Sequence, residues 1–381
     1  VSALPKKYYD ELIGLAEGSG MDLKTVLQMN CLTMAVTTQY GMCSGFIYYN
    51  HDHWVHGANF DFPFVTDREN QFLKREVIQV ESPSSLRFMG VFLLGSPFPY
   101  AGVNSAGIAV SSSSGSPLGR ISKGLFVYAL TRMILEQCQN LAEVEALVKT
   151  KGISGSWILL VSSDKAEMSL RIEAREDEIY CLYSRQQTAA NHLESLPEPN
   201  GVREDSKWRL QRLQKMMDAL PLSEATDKAF LDILGDRFDE QRQKSCKFST
   251  ANTLNRYNTA ISVLLKPQYG EMRASYQNIP AGSGPYLPYK LDVESTMLST
   301  AKVPNETSAL DCEPSLTPTN AIAWVPTIFS ESRLEISEPP RVPISKSNVL
   351  RVFLVPSLQP KWTEGLDADP NRDIILEFSS T

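Results

Sequence analysis

The apolar positions of the first forty residues recur at helical spacing. Tyr9, Leu12, Ile13 and Ala16 share one face, Pro5 stands where a first-turn proline is tolerated, and Gly18-Ser19-Gly20 ends the run. Asp22 is placed to cap a second helix carrying Leu23, Val26, Leu27 and Met29. Residues 5–35 therefore read as two helices. Near residue 43 the period changes. Phe46-Ile47-Tyr48-Tyr49, the polar turn Asn50-His51-Asp52-His53, and Trp54-Val55-His56-Gly57 read as a β-hairpin. Strands are expected at Val77–Val80, Phe88–Leu94 and Gly107–Val110, helical spacing over 121–149, and strands at Trp157–Val161, Met168–Ile172 and Ile179–Tyr183. Charged helices follow at 203–219 and 223–235, then strands at Ala260–Leu265 and Glu271–Ser275. Helices set between runs of neighbouring strands predict an α+β fold with antiparallel sheets and helical layers outside.

Beyond about residue 280, Pro, Ser and Thr become frequent and only short apolar runs remain, Ala321–Val325 and Val349–Val355 among them. The expected organisation is a helical segment 1–42, a catalytic domain 43–280 and a C-terminal extension 281–381 packed on that domain. Composition narrows the function. A hydrophobic share of 42% and a charged share of 21% are those of a globular protein with a sizeable core. A formal charge of −7 leaves no surplus of Lys and Arg to displace counterions from nucleic acid. No apolar run reaches the roughly 18–20 residues of a membrane helix. Nothing at Val1 reads as a signal peptide, and the abrupt start leads us to expect sequence upstream.

The six cysteines (Cys31, Cys43, Cys138, Cys181, Cys246 and Cys312) contain no CxxC pair and read as reduced thiols. His51-x-His53 lacks a third spaced ligand for a metal. Ser111–Ser114 offers serine nucleophiles without a GxSxG elbow. Cys43 differs because it stands where a helical segment gives way to a strand. At a new N-terminus such a residue joins a thiol of pKa about 8.5 to an α-amine of about 7.7–8.0. The amine then acts as general base for its own side chain.

Pro5 to Gly18, continuing through Asp22-Leu23 to Met29-Asn30, resembles the segment before the nucleophile in the isopenicillin-N acyltransferase family of N-terminal-nucleophile (Ntn) hydrolases. Cys43-Ser44 is followed by Gly57-Ala58-Asn59-Phe60-Asp61; similarity resumes at Gly102 to Val110, at Ala190-Asn191-His192 and in the Ser206–Leu213 stretch with Arg209. Coverage is roughly 1–275, with the motifs in the family's order.

The resemblance implies a four-layer αββα sandwich. It also implies self-cleavage of Met42–Cys43, with Cys43 as nucleophile, Asp61 holding an amine and Asn191 donating to the oxyanion. On the substrate side it places Asn59, Ser113, His192 and Lys247, with ordering of the strand end the first role of Asn59. Met42 stands where the family pattern has glycine, Ser113 where the acyltransferase has asparagine, and Lys247 near the place of an arginine. The implied reaction is amide C–N hydrolysis or N-acyl transfer through a thioester, on a small N-acyl amide or acyl thioester. No cofactor or metal is implied; an acyl-CoA is the co-substrate if the reaction is transfer. Fragments 1–42 and 43–381 would stay associated. Two other readings stand beside it: a serine-dependent hydrolase, and a catalytically degenerate binding protein on the same fold.

Overall fold

The computed structural model describes residues 4–40, 42–50, 53–62, 74–82, 84–115, 124–175, 177–198 and 201–291. The order begins α1 (Lys6–Ser19), α2 (Leu23–Tyr40), β1 (Ser44–Asn50), β2 (His53–Asp61), β3 (Arg75–Val80), β4 (Phe88–Leu93), β5 (Ala101–Asn104) and β6 (Ile108–Ser114). It continues α3 (Val127–Gln137), α4 (Leu141–Lys151), β7 (Ser156–Ser163), β8 (Ser169–Arg175), β9 (Glu178–Ser184), β10 (Gln186–Ala189), α5 (Glu204–Ala219) and α6 (Asp227–Leu234). Last come the short ribbon β11 (Phe238–Asp239) and β12 (Lys244–Ser245), then β13 (Thr259–Lys266), β14 (Glu271–Ser275) and β15 (Leu287–Lys290).

Among the described residues two large antiparallel sheets form beside the β11–β12 ribbon. One runs β10-β1-β2-β13-β14-β15 and the other β3-β4-β5-β6-β7-β8-β9. The pleat sorts the side chains of the central hairpin into layers. Phe46, Tyr48 and Val55 face outward to Leu213, Met217, Phe230 and Ile233 of α5 and α6. Ile47 and Trp54 face inward, to Ile158 and Leu160 of the second sheet. On the far side, α3 lies on β5 and β6, and α4 on β7 and β8. The order of layers is helix, sheet, sheet, helix: the expected αββα sandwich.

Local chemistry explains several boundaries. Asp22 caps α2 as expected, accepting from Thr25 N–H at 3.2 Å. The described part of the stretch 121–149 holds two helices, because Cys138 takes an extended backbone after α3 and Asn140 starts α4 by accepting from Glu143 N–H. Strands β5, β10 and β15 are short, and their four-residue patterns carry too little periodicity to stand out in sequence. The motif at 102–110 proves to be a brace for a hairpin. Asn104 Oδ1 accepts from Ala106 and Ile108 N–H, while its Nδ2 donates to the carbonyls of Leu135, in the last turn of α3, and of Cys138 just after it. Gly107 closes that turn at φ +82°, where a Cβ would also strike Asp164.

The helical segment is tied to the rest through buried charge. Glu136 on α3 accepts from Tyr8 at 2.7 Å and from Arg132 at 2.7 Å, and pairs with Lys7. Burial would raise the Glu136 carboxyl, but Arg132, Lys7 and Tyr8 together hold it below its ordinary range. Of the expected extension, residues 281–291 are described and supply β15, the edge of the first sheet. The runs Ala321–Val325 and Val349–Val355 lie outside the described residues, as do His51 and Cys312. Among the described residues no helix is long and apolar enough to cross a membrane.

Candidate active site

The site is set by register. Strand β1 lies between β2 and β10, pairing Gly45 with Ala58 on one side and with Ala189 on the other. Cys43 comes directly before β1, whose Ser44 pairs with Asn59, the residue before Phe60; Asn191 lies two residues past Ala189, the end of β10. Asp61 follows Phe60 directly. The start of one strand thus meets the ends of two others, and the three chemistry-bearing residues Cys43, Asp61 and Asn191 gather there.

Arg209, on α5 and fully buried, joins two of them. Its Nη1 donates to the Cys43 carbonyl at 2.7 Å and its Nη2 to Asn191 Oδ1 at 2.8 Å. With that oxygen taken, the Asn191 amide must turn its Nδ2 the other way. Nδ2 donates to the Ser114 carbonyl at 2.8 Å and to Ser114 Oγ at 3.1 Å. The main chain is fixed as well, since Asn191 N–H donates to Ser206 Oγ at 2.7 Å. The same hydroxyl lies 2.7 Å from His192 Nδ1. Burial lowers the His192 ring pKa, so the neutral form is favoured.

Asp61 ends β2 opposite an irregularity in β13, where the register shifts between Thr259 and Ile261. Such a bulge re-aims side chains. Here it brings Thr259 Oγ1 to donate to Asp61 Oδ1 at 2.7 Å, while Oδ2 has no hydrogen-bond partner and lies 3.6 Å from Arg256 Nε. Burial pushes the Asp61 carboxyl up to about 6, against the pull of Arg256 and Arg209. Arg256 also donates through Nη1 to Asp205 at 2.8 Å and through Nη2 to Met42 Sδ at 2.7 Å. Burial would raise Asp205, but Arg209, Arg256 and Arg203 outweigh it and hold that carboxyl well below its usual range.

Met42 and Cys43 are both buried. Burial and the Asp61 charge push the Cys43 thiol up to about 12; main-chain N–H groups of Asp61 and Ser114 and the charge of Arg209 pull the other way. A thiol in that setting holds its proton at neutral pH. It reacts only if a base sits beside it.

Asn59 stands one rung from Cys43, opposite Ser44, with its amide fully engaged: Nδ2 donates to the carbonyls of Leu234 and Leu254, and Oδ1 accepts from Ser262. Ser113 is buried on β6, next to the Ser114 that Asn191 contacts. Lys247 is exposed just beyond β12, its Nζ 5.4 Å above the Phe248 ring, and no described contact carries it to the others. Sequence reasoning missed Arg256, Asp205 and Thr259. Asp205 left one trace, standing four residues before Arg209 on the same helix face. Arg256 left none, because only the fold brings it to Asp61.

Solved structures with a similar build include a variant of conjugated bile acid hydrolase from Clostridium perfringens, at 11% identity and TM-score 0.47, covering 71% of this chain and 99% of that one. An N-acylethanolamine-hydrolyzing acid amidase ortholog from Caenorhabditis elegans is 13% identical, with TM-score 0.43 and coverage of 59% and 93%. Penicillin V acylase from Agrobacterium tumefaciens is 14% identical, with TM-score 0.40 and coverage of 61% and 82%. At these values the likeness carries no argument about the site. No curated protein matches the chain in sequence. The sequence profile of the acyl-coenzyme A:6-aminopenicillanic acid acyl-transferase family matches residues 50–269, more than half of the chain. The chain belongs to that family.

Proposed function

We propose that this protein cleaves its own Met42–Cys43 bond and then works on small N-acyl amides or acyl thioesters through the freed Cys43. The observation that carries this reading is that the Cys43 thiol lies against the main chain and charge of Asp61, while Arg209 grips both the Cys43 carbonyl and the Asn191 oxygen. In the first stage the Cys43 sulfur attacks the Met42 carbonyl carbon. The thiol proton passes to the departing nitrogen, the C–N bond breaks, a thioester forms and the Cys43 amine is released. Water then hydrolyses the thioester, leaving a Met42 carboxylate and a free thiol.

In the second stage the new amine takes the thiol proton and serves as base for the sulfur of its own residue. Sulfur attacks the substrate carbonyl, and the negative charge collects on its oxygen. Of the two Asn191 N–H bonds, one is fixed on the Ser114 carbonyl. The other rests on a hydroxyl that can turn, and an incoming oxyanion takes it, with a main-chain N–H as the second donor. Loss of one such donor costs about 2.7–4 kcal/mol in other enzymes. The unpartnered Asp61 Oδ2 accepts from the Cys43 ammonium. The proton then goes to the leaving amine, and water or an acceptor amine resolves the acyl-enzyme. Reaction with water makes the protein an amidase and reaction with an amine makes it an acyltransferase; an acyl-CoA serves as donor in the second case.

Intact-mass measurement tests the first stage. Wild type should split before Cys43 into 1–42 and 43–381, and Cys43→Ala should stay whole. A wild-type chain that never splits, yet turns over amides, removes the self-processing stage. Full turnover in Cys43→Ala removes the thiol.

A further inference from the structure

The loop that presents Asn191 is held from behind by a buried carboxylate. Glu173, 1% exposed on β8, accepts from two successive main-chain N–H groups, Glu194 at 3.2 Å and Ser195 at 2.7 Å. Two residues earlier on the same face of the strand, Arg171 lies 3.2 Å from Glu173 Oε1, donates to the Thr188 carbonyl at 3.2 Å and pairs with the Glu194 carboxylate. Glu198 closes the loop by accepting from Leu193 N–H at 2.6 Å. Leu193 itself is buried in the cluster between the sheets, with Ile47, Trp54 and Ile158. Hydrophobic anchoring alone would therefore keep this loop on the protein.

A buried ion pair is no better for stability than an apolar pair of similar volume, and it is often worse. What it adds is direction. Charge-assisted bonds to consecutive N–H groups fix the orientation of peptide planes, as a packed leucine does not. The planes fixed here lie three and four residues after Asn191, whose amide must point to within a fraction of an ångström to serve an oxyanion.

We propose that Glu173, braced by Arg171, is a positioning residue that aims Asn191 from the opposite sheet. The inference rests on the oxyanion role given to Asn191 above. Two reactions of one sulfur separate it from a merely structural role. Acylation by S-phenyl thiobutyrate, followed by thiophenol release in the first turnover, passes through a tetrahedral oxyanion. Alkylation by iodoacetamide displaces iodide at carbon and forms no oxyanion. In processed full-length Glu173→Gln, acylation should fall about tenfold while alkylation of Cys43 stays within about twofold of wild type. Glu173→Asp keeps the charge but withdraws it by one methylene, and should show the same split with a smaller loss. It carries the test if Glu173→Gln does not fold. Acylation at the wild-type rate in the folded variant, or both rates falling together, overturns the proposal. Asn191→Ala goes through the same pair of assays. If it acylates normally, the oxyanion role itself is wrong; if it is slow while Glu173→Gln is normal, only the positioning role is lost.

Discussion

His56 on β2 reaches Ser111 on β6, Nε2 to Oγ 2.7 Å, and so ties the two sheets together at a point with no exposure to solvent. Its other nitrogen lies 3.3 Å from Ser162 Oγ on β7. Burial lowers the ring to about 3, so the folded protein keeps His56 neutral across the mildly acid range.

That arrangement has a sign. Between about 6.5 and about 3 the unfolded chain binds a proton at His56 that the folded chain refuses. Stability therefore falls as pH drops through this window, by up to about 1.4 kcal/mol per pH unit from this group. Urea midpoints of wild type and His56→Gln, measured from pH 7 to pH 4, should differ in slope, the variant lacking this loss. Parallel curves would show that the ring takes its proton without unfolding the protein.

Asp61 acts in the opposite sense. Its folded pKa is raised from 3.8 to about 6, so the stability linked to it is present below about 4 and lost as pH rises through about 6. The proposed mechanism needs the ionised form, because only a carboxylate would hold a Cys43 ammonium. Turnover should rise with pH through about 6, and Asp61→Asn should lose both that rise and at least tenfold in kcat (an order-of-magnitude expectation for a positioned charge). A pH–rate profile with an unmoved acid limb in Asp61→Asn would assign that limb to another group.

Arg209 is a cation without solvent, surrounded by the Cys43 carbonyl, Asn191 Oδ1 and Asp205. Arg209→Met leaves Asp205 with two guanidiniums in place of three, and should cost about 3–5 kcal/mol in urea unfolding. Arg209→Lys keeps the charge but not the fork, so it cannot reach both oxygens. Its turnover should fall by about tenfold or more with a smaller loss of stability. Wild-type turnover in Arg209→Lys would mean that Asn191 is aimed without it.

The Arg132–Glu136 pair makes a prediction far from the site. Arg132 is 6% exposed and also reaches Glu11 at 3.2 Å and the Pro97 carbonyl at 2.9 Å. Arg132→Met leaves the buried Glu136 with only Lys7 and Tyr8 as partners, so unfolding free energy should drop, by at most about 3–5 kcal/mol. Glu136→Gln combined with Arg132→Met removes both charges and should recover part of that loss. A double variant as unstable as the single would assign the cost to packing.

The sequence by itself determined what short-range rules govern. The period of apolar residues marked the helices α1 and α2 and the hairpin β1–β2, and Asp22 announced its cap. Cys43, at the change of period, stood out for the same reason. The family motifs then supplied Asp61 and Asn191 as partners, and the profile match agrees with that family. What the tertiary structure decided is the meeting of groups far apart in the chain. Asn191 comes to the Arg209 that also holds the Cys43 carbonyl because β10 pairs with β1 across about 140 residues of sequence. Arg256 reaches Asp61 because β13 lies beside β2 with a bulge at their junction. Neither event leaves a local pattern, since strand pairing is chosen by the burial of whole faces and not by the residues at their ends. Hence Arg256, which touches Asp61, Asp205 and Met42, was invisible, while Lys247, which sequence put forward, stands in solvent. Periodicity is a property of neighbours along the chain; a charged cluster is a property of neighbours in space.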